Sequence, residues 1–243
     1  MPNASAGKTL LNDAVEGALD LVYPPRCVLC DTFGPAYLCE SCASQIPVDV
    51  PPPVCERCGR HCDSLPCAEC LGDPPYFVIA VAAGEYSGLT QEAVHWLKYR
   101  DRPMLAEPLG LILAAYARRE RARLADLSFD AVVPVPMHPA RGRVRGYNHA
   151  ERLARVVGHE LNIPIRPELL RRVRATRPQV GLDADTRRSN LDGAFRADSN
   201  AVNGLSLLVI DDVSTTGSTN RETAKTLKLA GAKAVYCLCL AAD

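Results

Sequence analysis

Leu207-Leu208-Val209-Ile210 is an unbroken apolar run that ends in two carboxylates, Asp211 and Asp212, and continues as Val213-Ser214-Thr215-Thr216-Gly217-Ser218-Thr219. A run apolar at every position marks a strand covered on both faces of a parallel sheet. Parallel neighbours require crossover connections, usually helical, so this stretch points to a layered α/β fold. A helix is expected from Asn220 to Ala230, closed by Gly231. The two acids fall at the C-terminal end of the strand, where open α/β sheets place ligand sites. Backbone N–H groups at the helix start, with Thr and Ser hydroxyls, can hold a phosphate. The acids beside them suit sugar hydroxyls or a hydrated divalent cation. A buried strand and a polar turn would need no ligand, but acids leading into Thr-Thr-Gly favour a sugar-phosphate site. A receiver domain also ends a strand in paired acids, yet its phospho-acceptor lies several elements downstream and only 31 residues follow Asp212.

The N-terminal third is organised by cysteine. Cys27-x-x-Cys30 and Cys39-x-x-Cys42 are separated by eight residues, and Cys55-x-x-Cys58 and Cys67-x-x-Cys70 by eight again. A CxxC turn brings two thiolates to one ion, and two such turns complete a tetrahedral, closed, structural zinc site. The repeat reads as a double zinc ribbon jointed by the Pro-rich stretch 47–53, with two structural zinc ions. Residues 27–70 hold too few apolar side chains for a core, so metal supplies most of their folding energy. His61 and Cys62 are left over, with Cys62 a spare thiol. A disulfide framework would need an oxidising compartment, and the N-terminus has no export signal pattern, so reduced cytoplasmic thiols are expected. No apolar run is long enough for a membrane span.

Charge separates the same regions. Residues 1–75 contain 4 Lys+Arg and 10 Asp+Glu, and residues 76–243 contain 24 and 18. Two domains are expected, 1–75 and 76–243, with the cationic surface on the second. Each four-thiolate zinc site adds about −2 to the first. Direct nucleic-acid binding there is disfavoured, because phosphate backbones need cations. The acidic polar face of an amphipathic helix at 9–22 likewise argues for packing and against a membrane surface.

Along the second domain a strand is expected at 77–86, a short helical face through Leu89, Ala93, Trp96 and Leu97, and a helix from about Pro103 to Leu124. Arg118, Arg119, Arg121 and Arg123 at its end suit the helix dipole and need no ligand. Phe129 to Pro136 reads as another buried strand. The loop after it carries Arg141, Arg143 and Arg145 with Gly142 and Gly146, and Asn148 starts the next helix. Guanidinium forks and close-approaching glycine backbone suit an anion. This loop leaves the same sheet edge as Asp211 and Asp212. Residues 171–188 are Arg-rich and nearly free of apolar side chains, the pattern of a lid or a nucleic-acid arm, although the aromatics of single-strand binders are missing. A last strand, 234–240, carries Cys237 and Cys239 on one face as small core residues.

The order of apolar run, two acids, two variable residues, Thr-Thr-Gly and a small hydroxyl resembles the phosphoribosyl pyrophosphate (PRPP) motif of type I phosphoribosyltransferases. Pro134-Val135-Pro136-Met137-His138-Pro139 and Arg145-Gly146-Tyr147-Asn148-His149-Ala150-Glu151 resemble the segment that sets ComF-type proteins apart among them. Lys98-Tyr99-Arg100, Arg172…Thr176…Pro178-Gln179…Gly181-Leu182, Arg187…Asn190-Leu191…Gly193-Ala194-Phe195 and Pro24-Pro25-Arg26-Cys27 extend the likeness over nearly the whole chain. His149 departs from the family, which more often has Gln there. The resemblance implies a parallel-sheet phosphoribosyltransferase fold behind the zinc ribbons. It implies Asp211 and Asp212 on the ribose hydroxyls of PRPP, directly or through Mg²⁺-bound water. Thr215, Thr216, Gly217, Ser218 and Thr219 would cradle the 5′-phosphate, Arg141, Arg143 and Arg145 would face pyrophosphate, and residues 171–188 would close as a lid. Family association with DNA uptake adds single-stranded DNA or competence-machinery proteins as partners, and a non-enzymatic PRPP-responsive role as the alternative to phosphoribosyl transfer. Metal analysis of the purified chain should return about two zinc ions per molecule; a folded, metal-free protein would remove the ribbon reading.

Overall fold

The computed structural model describes residues 25–63, 65–99, 102–138, 146–175 and 190–243. The helix expected at 9–22 and most of the 171–188 stretch lie outside the described residues. The chain forms two compact units, Met1–Gln45 and Ile46–Asp243.

In the first unit Cys27 opens a tight knuckle. Its N–H donates to Thr32 O, its carbonyl accepts from Asp31 N, and Arg26 bridges to Phe33. Helix α1 (Glu40–Gln45) then carries Cys42. The second unit begins with a copy of the same device. Cys55 N donates to Arg60 O, Cys55 O accepts from Gly59 N, and Val54 bridges to His61. Helix α2 (Ala68–Gly72) carries Cys70. The residue after each knuckle lies in the left-handed region, Asp31 at φ 57° and Gly59 at φ 70°. Only Asn, Asp and Gly take that conformation readily.

The rest of the second unit is a parallel sheet of β1 (Ala80–Glu85), β2 (Ala131–Pro134), β5 (Ser206–Ser214) and β6 (Ala234–Ala242), in the order β1-β6-β5-β2. A small antiparallel pair, β3 (Leu170–Arg172) with β4 (Phe195–Ala197), lies apart from it. The connections are α3 (Gly88–Tyr99) and α4 (Ala106–Arg119) after β1, α5 (His149–Leu161) after β2, α6 (Ser199–Val202) before β5, and α7 (Ser218–Leu229) between β5 and β6. Leu207, Leu208, Val209 and Ile210 are all fully buried, as an apolar run without alternation requires. Leu207 and Val209 share a cluster with Ala131, Val133, Cys237, and Ala224 and Leu227 of α7. Leu208 and Ile210 point to the other face, by the period of two of a strand. Helices α4 and α5 pack on each other and on the sheet.

Both outer strands are covered, which protects edge N–H and C=O groups from pairing with another chain. Residues 164–166 bond to β2 through Val132. On β1, Ala80 N donates to Arg57 O, inside the second cysteine knuckle. Cys55, Cys58, Cys67 and Cys70 accordingly belong to the same apolar cluster as Phe77, Ala80 and Leu207.

Helix α4 stops at Arg119 and not at Leu124. Ala125, Asp126 and Leu127 turn through positive φ. The arginines at that end find acids: Arg118 with Glu160, Arg119 with Asp49, Arg121 with Asp126 and Arg123 with Glu120. Cys237 and Cys239 are fully buried in the core. Among the described residues no helix is long and apolar enough to cross a membrane.

A Cβ at Gly59 would sit 2.7 Å from Ala80 O, on a backbone already at φ +70°. Gly59→Ala is therefore expected to cost about 1–3 kcal/mol, read as a lower urea midpoint. Gly34→Ala, with open space around it, should stay within about 0.5 kcal/mol.

Candidate functional site

Two constellations carry chemistry. In each four-cysteine cluster the Sγ atoms all lie within 4.8 Å of one another. Cys30 and Cys39 are 3.8 Å apart and Cys58 and Cys67 3.7 Å. A tetrahedron with metal–sulfur bonds of about 2.3 Å has edges of about 3.8 Å, so both clusters have the size of a zinc site. All eight are free thiols, and no S–S bond closes either cluster. The Thr32 hydroxyl, 3.2 Å from Cys30 Sγ, and the Thr32 backbone pull that thiol down to about 6. Burial pushes Cys55 up, but the N–H groups of Cys67, Cys58 and Arg57 outweigh it and bring it to about 6. Each cluster thus holds a thiol ready to bind as thiolate. Cys62 is in neither cluster; it packs against the core.

The second constellation gathers at the C-terminal ends of β1, β2 and β5. Strand β2 leads into α5, while β5 leads through α7 to β6 on its other side. The strand order therefore reverses between β2 and β5, where open α/β sheets leave a crevice. Asp211 and Asp212 sit there, one step beyond the Pro134–Ile210 pair. Gly217, at φ 72°, turns the chain into α7. Thr216 Oγ1 and Ser218 Oγ lie 2.7 Å apart, and Asn220 Nδ2 donates to Ser214 Oγ at 3.3 Å and to the buried Cys239 Sγ. The structure thus brings Asp211, Asp212 and Thr215 to Thr219 into one turn. Arg141, Arg143 and Arg145 lie outside the described residues.

Two residues named above only through a family likeness join this turn. Lys98, at the end of α3, places Nζ 2.8 Å from Asp212 Oδ1, and both side chains are largely buried. His149, the first residue of α5, places Nδ1 4.0 Å from Asp212 Oδ2. Their elements are pinned: Tyr147 OH donates to Leu97 O at 2.7 Å, and Asn148 Nδ2 donates to Val135 O at 3.0 Å. Burial would lower the Lys98 ammonium, but Asp212, then Asp211, hold it above its ordinary value. Burial and then the Asp212 charge push Asp211 up to about 7, against Lys98, the Asp212 N–H and Arg172. Arg172 belongs to β3, so part of the Arg-rich stretch is ordered strand whose charge reaches the acids. The available signals were an isolated Lys closing an amphipathic helix and a His directly after a helix-capping Asn. Neither is specific without the fold.

The described residues form a parallel α/β domain preceded by a double zinc ribbon. The Double zinc ribbon domain model matches residues 18–71. DNA utilization protein YhgH of Salmonella typhimurium is 34% identical over 83% of this chain and 89% of its own length. YhgH of Escherichia coli K12 is 32% identical over 90% of this chain and 98% of its own. Competence protein F of Haemophilus influenzae is 31% identical over 82% and 87%. The chain belongs to the ComF family. Among solved structures, a glutamine PRPP amidotransferase from B. subtilis overlaps 61% of this chain and 30% of its own, at 19% identity and a TM-score of 0.41, too slight a likeness to bear on the site.

Asp211 has a pH consequence. Its folded carboxyl titrates at about 7 against an ordinary 3.8, so the folded chain holds that proton more tightly than the unfolded one. The resulting stability is full below about pH 4 and is lost as pH rises through 7. Asp211→Asn should raise Tm relative to wild type at pH 8, with the gain vanishing towards pH 4. A pH-independent difference would contradict the assignment.

Proposed function

We propose that this chain is a cytoplasmic PRPP-binding protein of the phosphoribosyltransferase type, transferring phosphoribosyl to an acceptor with release of pyrophosphate. The observation that carries the reading is the junction of Asp211 and Asp212 with the Gly217-led start of α7. Two carboxylates and a free helix N-terminus within one turn match the two ends of a ribose 5-phosphate. In this reading Thr215 to Thr219 hold the 5′-phosphate, and Asp211 and Asp212 hold the ribose hydroxyls. The oxygen donors of the two acids suit a hydrated Mg²⁺, which, when bound, supplies charge for the pyrophosphate. Lys98 offsets the acid pair and pairs with Asp212 on the side away from its His149 contact, Lys98 on Oδ1 and His149 on Oδ2. Arg141, Arg143 and Arg145 neutralise departing pyrophosphate. Positive charge growing on the ribosyl carbon is stabilised by the acids, so catalysis rests on placement and electrostatics without a covalent protein nucleophile.

A second reading is a non-enzymatic accessory in DNA uptake, PRPP-responsive or handling single-stranded DNA. It draws on the names of the relatives, competence protein F and DNA utilization protein, and on the cationic region 76–243.

Calorimetry with PRPP and Mg²⁺ tests the shared core of both readings. Asp211→Asn with Asp212→Asn should abolish binding while the far-ultraviolet circular dichroism stays unchanged; unaltered binding would remove the site assignment. Pyrophosphate release on incubation with PRPP and candidate acceptors separates the readings. Turnover supports the transferase, and salt-sensitive single-strand binding without turnover supports the accessory.

A further inference from the structure

The two cysteine repeats differ in charge at several matching positions, and two of these form an ion pair in the second copy. The second copy has Arg60 and Glu69 where the first has Thr32 and Ser41. In the second copy these residues start an ion chain. Arg60 Nη2 pairs with Glu69 Oε2, and Glu69 Oε1 lies 3.1 Å from Arg221 Nε. Arg221 Nη1 donates to Asp73 O at 2.7 Å and lies 3.3 Å from Asp73 Oδ2. Its Nη2 reaches Cys70 Sγ at 3.6 Å. The guanidinium is thus engaged on Nε, Nη1 and Nη2, and the side chain is only 12% exposed.

Arg221 stands in the first turn of α7, with its N–H donating to Gly217 O at 2.9 Å. One side chain therefore touches a cysteine sulfur of the second cluster while its backbone is bonded to the turn at 215–219. All four cysteines of that cluster are buried. Four thiolates around one zinc carry about −2, and a buried charge of that size needs compensating cations. Arg60 and Arg221 place two cations beside it, their charge shared with Glu69 and Asp73. Partners that donate to metal ligands fix the ligands and raise affinity; here the same partner also fixes the start of a helix.

We propose that Arg221 is a positioning residue that clamps the second four-cysteine site to the first turn of α7. Metal held by Cys55, Cys58, Cys67 and Cys70 and an anion held at 215–219 then strengthen each other's binding, a coupling that is reciprocal by necessity. The coupling rests on the PRPP reading above; the clamp does not.

The test follows zinc release from the full-length chain to a chromogenic chelator. Cys30→Ser, in the separate N-terminal unit, identifies which phase is the second site. Arg221→Ala should speed that phase on the order of 10–100-fold and leave the first-site phase unchanged. Arg221→Lys, which keeps the charge and loses the fork, should recover only part. Amide exchange at 217–222 should rise in Arg221→Ala with zinc still bound. Added PRPP and Mg²⁺ should slow second-site release in the wild type and not in Arg221→Ala. Wild-type release and exchange in Arg221→Ala would overturn the clamp. PRPP that binds by calorimetry yet leaves second-site release unchanged would overturn the coupling. If PRPP does not bind while release and exchange change as stated, the clamp stands and the PRPP reading falls.

Discussion

Strand β5 is hydrogen-bonded on both edges, to β2 and β6, and covered on both faces. A strand held this way cannot slip, because a shift of one residue would exchange its faces and break both ladders. Asp211 and Asp212 are consequently fixed at the sheet edge, side by side, where two like charges raise each other's cost. The chain meets that cost locally, with Lys98 on Asp212 and the Arg172 charge acting on Asp211. Paired acids draw counter-charges, and cations from α3 and β3 accordingly act on this turn.

The second constraint is coverage of the β1 edge. The knuckle at Cys55–Arg60 lends a carbonyl to Ala80 and packs its glycine against the same residue. What reads as a detached metal module is in this copy part of the sheet's own edge and core. The first copy has the same knuckle and helix but stands in its own compact unit. Two repeats of one pattern have thereby taken different places in the fold, and among the side chains that differ, Arg60 and Glu69 stand where the first copy has Thr32 and Ser41.

Much of this was legible in the chain. Cysteine spacing alone specified both clusters, since four thiols at repeated CxxC intervals have few ways to meet. The apolar run at 207–210 specified a buried parallel strand, and the Thr-Thr-Gly after the acids marked the turn into α7. The helical pattern runs on to Leu124 because Arg, Ala and Leu residues at 117–124 have good helical propensity, yet α4 ends at Arg119 and Arg121 and Arg123 pair locally with Asp126 and Glu120. Lys98 and His149 could not be found from spacing, since 51 positions separate them in the chain and each lies in an ordinary helix.

The sequence by itself determined the four strands of the main sheet, the cysteine clusters and the strand end that carries the acids, because these follow from local period and ligand spacing. Only the tertiary structure decided which cations neutralise those acids and that the second metal site grips α7 through Arg221. Such pairings depend on how crossovers bring distant strand ends and helix starts together, and no local pattern encodes that geometry.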